Sequence, residues 1–133
     1  MDEVKVLVEV EINPTESSEK VKSAVENIFG NLQMTINPSH LGSVLEANGE
    51  GRQALEAFRN LLRRDRVRAA ARKLLSSELR GNTVTFFLNK QAAFANHVSF
   101  SQEVRESPLG PIKVTIDCQN PRELIDWLAP RTQ

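Results

Sequence analysis

Residues 52–80 read RQALEAFRNLLRRDRVRAAARKLLSSELR, and whether they form one helix or two decides how the chain folds. The stretch has no internal Gly or Pro, so a single helix about 43 Å long is formally allowed. The apolar phase argues otherwise. Leu55, Phe58, Leu61 and Leu62 define one stripe, and extending it would bury Asp65, Arg66 and Lys73. Val67, Ala70, Ala71, Leu74 and Leu75 define a second stripe, rotated by roughly half a turn. Two helices are therefore expected, broken near Asp65, which can cap the second. Arg80-Gly81-Asn82 ends it.

On the N-terminal side, Val4, Val6, Val8, Val10 and Ile12 recur every second residue with Lys5, Glu9 and Glu11 between them. Period two with β-branched residues is a strand with one wet face. Asn13-Pro14 stops it. Ser17 is placed to cap a helix reaching Phe29, with Val21, Ala24, Val25, Ile28 and Phe29 as its apolar face and Gly30-Asn31 closing it. Leu32–Ile36 and Val44–Ala47 are short strands flanking the turn-rich Asn37–Gly42, and Asn48-Gly49-Glu50-Gly51 breaks the chain.

On the C-terminal side, residues 83–88 alternate Thr83, Thr85 and Phe87 with Val84, Phe86 and Leu88. This strand is apolar on much of both faces and is expected at the sheet centre. A helical turn over Lys90–Ala95, a short strand from His97 to Phe100 and a rigid turn at Ser107–Pro111 follow. Ile112, Val114 and Ile116 mark the last strand, and Asn120-Pro121 starts a helix packed through Leu124, Ile125, Trp127 and Leu128. The order is β-α-β-β-α-α-β-β-β-α with a helical turn after the fourth strand. The fold class is α+β: a single domain over residues 1–133, with an antiparallel or mixed sheet and helices packed on one face.

The 133 residues carry 17 Lys plus Arg and 17 Asp plus Glu. The neutral total is unevenly placed. Residues 1–51 hold nine acids and three bases, residues 52–80 hold nine bases and three acids, and the remainder is balanced. A lone Cys118 and two His give no disulfide and no zinc spacing, which suits a reducing cytoplasm. The acidic, alternating N-terminus is not a signal peptide, and no run suits a membrane span. No cofactor or metal is expected.

The basic segment is the strongest functional signal. Arg64, Arg68 and Arg72 are spaced i, i+4, i+8, Arg59 and Arg63 repeat the spacing, and Arg66 and Lys73 widen the field. Such guanidiniums can contact successive phosphates with counterion release. The competing reading is a solvated face paired with the acidic N-terminal segment. Asn89, Lys90 and Gln91 follow a buried strand and can add contacts to phosphate, sugar or base edges. Phe94 is expected to cap the core. His40, His97, the Glu9/Glu11 pair and Asn48–Gly51 show no catalytic or phosphate-loop spacing, so no catalytic residue is assigned and the chain reads as a non-enzyme.

The strings Phe87–Phe94 (FLNKQAAF), Ser107–Ile112 (SPLGPI) and Leu124–Thr132 (LIDWLAPRT), with Asn13–Glu16, Asn27–Gly30 and Leu61–Arg64, resemble an uncharacterised archaeal protein family classed as RNA-binding. The resemblance spans nearly the whole chain. It implies a fold similar to the large-subunit ribosomal protein that binds five-S rRNA, and relatives described as predicted RNA-exosome-associated proteins. It brings no catalytic residues. The expected partner is structured RNA. The alternatives are a homo-oligomer joined through the acidic and basic segments, or a small-molecule binder.

Overall fold

In the computed structural model the described residues are 3–40, 42–101 and 110–131. Strand β1 (Val4–Ile12) is the seam of the structure, flanked on both sides by antiparallel partners. The hairpin β2 (Gln33–Ser39) and β3 (Gly42–Glu50) adds to one side through β3. On the other side come β7 (Pro111–Cys118) and then β5 (Thr83–Asn89), whose outer edge carries the short β4 (Leu79–Arg80) and β6 (Phe100–Ser101). The order is β2-β3-β1-β7-β5-β4, with β6 also on β5. Every pairing among the described residues is antiparallel, which settles the expected choice between antiparallel and mixed.

Alternation sorts the sheet into two faces. Val4, Val6, Val8, Val10 and Ile12 are buried, as are Ile112, Val114 and Ile116 opposite and Val84, Phe86 and Leu88 beyond them. Helices α1 (Ser18–Phe29), α2 (Glu56–Arg64), α3 (Arg68–Ser77), α4 (Lys90–Phe94) and α5 (Pro121–Leu128) join this same core. Phe58 of α2 is the hub, its ring 5.4 Å from Phe29 of α1 and 5.6 Å from Phe86 of β5. Burying such a ring removes about 150–250 Å² of surface from water, so the aromatic cluster couples helices to sheet.

The α1 face is buried as its stripe predicts, and Ser17 Oγ accepts from Lys20 N–H. The basic segment is indeed two helices, with Arg66 at φ 58° turning the chain between them. Asp65 does not cap α3. Its carboxylate accepts instead from Val98 N–H at 2.9 Å, tying the α2–α3 turn to the segment before β6.

Several expectations give way. The turn-rich run 37–42 is mostly strand: Asn37, Pro38 and Ser39 pair with Val44, Ser43 and Gly42. Because β2 is an edge strand, the donor that Pro38 lacks is tolerated. Asn48–Glu50 also continue β3, and the break comes only at Gly51, φ 83°. Gly49 is needed there, since a Cβ would sit 2.7 Å from Leu32 and 2.9 Å from Ala54. Strand β5 is not central. Its Thr83–Thr85–Phe87 face is only partly covered, and its outer neighbours are two-residue strands. The strand expected from His97 begins only at Phe100, and β4 has no counterpart in the expected order. Of the turn expected at 107–111, residues 107–109 lie outside the described residues.

Candidate nucleic-acid interface

The basic residues of 52–80 that lie on α2 and α3 share helices whose apolar stripes face the core, so their side chains start from the same side of the sheet. From there they divide. One group turns inward onto α5 and the α2–α3 turn. Arg59 Nε donates to Trp127 O at 2.8 Å, and its guanidinium lies 5.0 Å from the Trp127 ring centroid, with Arg52 5.7 Å from the same ring. Arg72 donates to Ala129 O at 3.2 Å and pairs with the Asp126 carboxylate at 2.6 Å. Carbonyls at a helix end lack intrahelical donors, so both arginines serve the C-terminal turn of α5.

Arg64 is exposed, but its guanidinium is engaged like those of the inward pair. It pairs with Asp65 at 3.0 Å and donates to Asn96 O. The expected row Arg64–Arg68–Arg72 is therefore interrupted: Arg64 closes α2, and the turn at Arg66 sets Arg68 at the start of another helix. Asp65 sits at the centre of this turn with His97 Nδ1 3.4 Å away. Burial raises its pKa, but the Val98 N–H bond, Arg64 and His97 together outweigh it and hold the carboxyl below its ordinary value.

The second group turns outward. Arg63, Arg66 and Lys73 are at least partly exposed, and Arg68 is half-buried. Among the described residues none of the four has a carboxylate within 4.0 Å. The alternative in which the acidic N-terminal segment covers the basic helices finds no support in these ion pairs. Among the described residues, that segment reaches a later one through the pair of Glu16 with Lys90. The strand acids lie on the opposite side of the sheet, which carries none of the described helices, and there Glu9 faces Glu46 and Lys113, and Lys5 faces Glu50 and Asp117.

Lys90 requires a correction. Expected to offer a surface contact, it is 1% exposed, with Nζ 2.8 Å from Glu11 O and 3.1 Å from Glu16 Oε1. Glu16 also accepts from the backbone and side-chain amides of Asn13. A charge taken this far from water is retained because it is paired and hydrogen-bonded. The pair locks α4 to the β1–α1 loop, so Lys90 is withdrawn from the candidate contacts. Asn89 caps α4, its side-chain oxygen accepting from Ala92 N–H at 2.9 Å, and Gln91 is exposed. Phe94 also departs from expectation: Ala93 fills the core position, and Phe94 is 37% exposed.

Sequence reasoning missed one participant, Arg131. Together with Arg72, Lys73, Ala69, Ser76 and Pro130 it lines a cleft of about 380 Å³ between α3 and the segment after α5. Its nearest sequence neighbours are not basic, so no charge run marked it. No helix of the described residues is long and apolar enough to cross a membrane.

These features define a small α+β protein with an open antiparallel sheet on one side and a cationic helical layer on the other. A family model described as RNA binding matches residues 5–118. The UPF0201 protein of Sulfurisphaera tokodaii is 44% identical over 128 residues, covering 96% of this chain and 88% of that one. A UPF0201 protein of Pyrobaculum arsenaticum is 44% identical over 130 residues, covering 97% and 91%. The crystal structure of the UPF0201 protein from Methanococcus jannaschii superposes with a TM-score of 0.86 at 30% identity, covering 97% and 95%. The chain belongs to this UPF0201 family of archaeal proteins.

Proposed function

We propose that the protein binds structured RNA in the cytoplasm, without catalysis, by gripping phosphates with the outward cations Arg63, Arg66, Arg68 and Lys73. The observation that carries this reading is their lack of carboxylate partners among the described residues, in a chain of the RNA-binding family. A guanidinium already paired loses that pair on meeting a phosphate, whereas an unpaired one exchanges only water and counterions. Arg59, Arg64 and Arg72 hold the helices that present these cations, and Asn89 and Gln91 border the same side through α4. Recognition is by shape and phosphate spacing, since the described strands carry no aromatic-rich face for base stacking.

The test is RNA affinity as a function of salt. Binding should weaken by orders of magnitude between about 50 and about 200 mM salt if several phosphates are held. Replacing Arg63, Arg66 and Arg68 by Ala should flatten the log–log slope by about one for each phosphate that is no longer neutralised. Salt-independent affinity would end the proposal.

Charge partition across the sheet favours one second reading, in which the acidic open face of one copy meets the basic helices of another. Sedimentation in the absence of RNA separates the two. Self-association that disappears in salt supports the second reading, and a monomer at all concentrations removes it.

A further inference from the structure

We infer that the cleft between α3 and the segment after α5 is a binding site for a single phosphate group. This rests on the RNA-binding reading above and deepens it, because a discrete phosphate site fixes register where a diffuse basic surface does not. Three cations converge on the cleft. Arg72 comes from the middle of α3, Lys73 follows it, and Arg131 lies beyond α5. Ser76, one turn on from Lys73, adds a hydroxyl to the same wall.

The cations are unequal. Arg72 is already held by Ala129 O and Asp126, so it fixes the cleft wall and leaves the anion to the other two cations. Preorganisation of this kind lowers the entropy lost on binding. Lys73 and Arg131 have no ion-pair partner among the described residues, and can close on an anion from two sides. Asp126 is the carboxylate paired into this set, and its charge is engaged by Arg72. The local balance therefore stays positive. Arg and Lys divide the work as their chemistry suggests: a planar fork from Arg131, a mobile point charge from Lys73.

The volume, about 380 Å³, is at the small end of the usual range for ligand pockets and suits one nucleotide unit, not a large organic ligand. Pro130 and Ala69 supply apolar walls against which a sugar or base can rest. The phosphate could belong to an RNA strand or to a free nucleotide, and the experiment separates these sources.

The protein has one Trp and no Tyr, so its ultraviolet emission comes from Trp127 on α5, next to the Asp126 that Arg72 holds. Titrations follow this emission with a structured RNA, with adenosine monophosphate and with inorganic phosphate. The chains compared are wild type, the cleft variant Lys73→Ala/Arg131→Ala and the control variant Arg63→Ala/Arg66→Ala. If the cleft holds an RNA phosphate, the cleft variant binds RNA about tenfold more weakly, with a salt slope lower by about one. Free phosphate and the mononucleotide then act only as weak competitors. If the source is a free nucleotide, the mononucleotide saturates in wild type and fails in the cleft variant, whatever the RNA result. A cleft variant matching wild type for all three ligands overturns the inference. When the control variant alone loses RNA, the broader RNA reading survives that failure. When neither variant changes the binding of RNA, mononucleotide or phosphate, both fail.

Discussion

Arg59 and Arg63 are one helical turn apart on α2, yet they have opposite roles. Arg59 lies over Trp127 and donates to its carbonyl, whereas Arg63 stands exposed with no carboxylate partner among the described residues. Arg72 and Lys73 repeat the contrast on α3. Charge density along the sequence therefore counts two populations as one. The inward group is structural, supplying donors to helix ends and turns. The outward group is what a polyanion can reach.

The contrast is tested first at its inward extreme. Glu16→Gln removes the carboxylate paired with the buried Lys90 ammonium, which should cost about 3–5 kcal/mol. Chemical denaturation would register it as a large fall in the midpoint. A loss under about 1 kcal/mol would mean the ammonium finds water, and Lys90 would return to the accessible cations.

Arg59→Ala removes a hydrogen bond and a cation–π contact, a loss of about 1–2 kcal/mol. Emission from Trp127 should change at the same time, because its ring loses a neighbour. Unchanged stability and emission would place Arg59 with the outward group.

Asp65 gives the next, smaller effect, as a pH dependence. Its folded pKa lies below the ordinary 3.8, so folding favours its ionised form. The resulting stabilisation is fully present above about pH 4, the range of the unfolded carboxyl, and is lost as pH falls through the folded value. Asp65→Asn should flatten the acid limb of the stability curve measured against wild type. An identical limb in both proteins would show that the turn draws nothing from this carboxylate.

Stability should respond least to Arg63→Ala/Arg66→Ala, within about 0.5 kcal/mol per site. Thermal unfolding checks this. A larger loss would assign the outward residues a structural part as well, and the two populations would merge into one.

How much of this can be read from residues alone follows from the range of the forces involved. The β1 strand and the α1 and α2 stripes are legible because burial imposes a local period, and the break after Arg64 is legible because the stripe changes phase. Two-residue strands such as β4 and β6 are too short to carry a period. The stretch at Pro38 misleads because a turn former is harmless on an edge strand, and edge position is a tertiary property. Phe94 reads as core because apolarity alone cannot say which of two adjacent residues, Ala93 or Phe94, faces inward.

The site is less legible than the fold. Arg59 and Arg72 find their partners on and just after α5, 68 and 57 residues away, and Lys90 finds Glu16 at a separation of 74. No local pattern encodes such distances. Lys is so seldom fully buried that Lys90 in a polar string reads as surface. Arg131 is invisible for the opposite reason: it is isolated in sequence and acquires basic neighbours only through the fold.

The sheet that separates the strand acids from the helix bases also acts before contact. Opposite charge on two sides of a small protein produces a torque in the field of a polyanion, turning the helical side forward during approach. This effect belongs to the association rate and is attenuated beyond a Debye length, about 8 Å at physiological salt. Removing Glu9 and Glu46, which touch no proposed contact residue, should therefore alter how often encounters are productive while leaving the lifetime of the bound state alone.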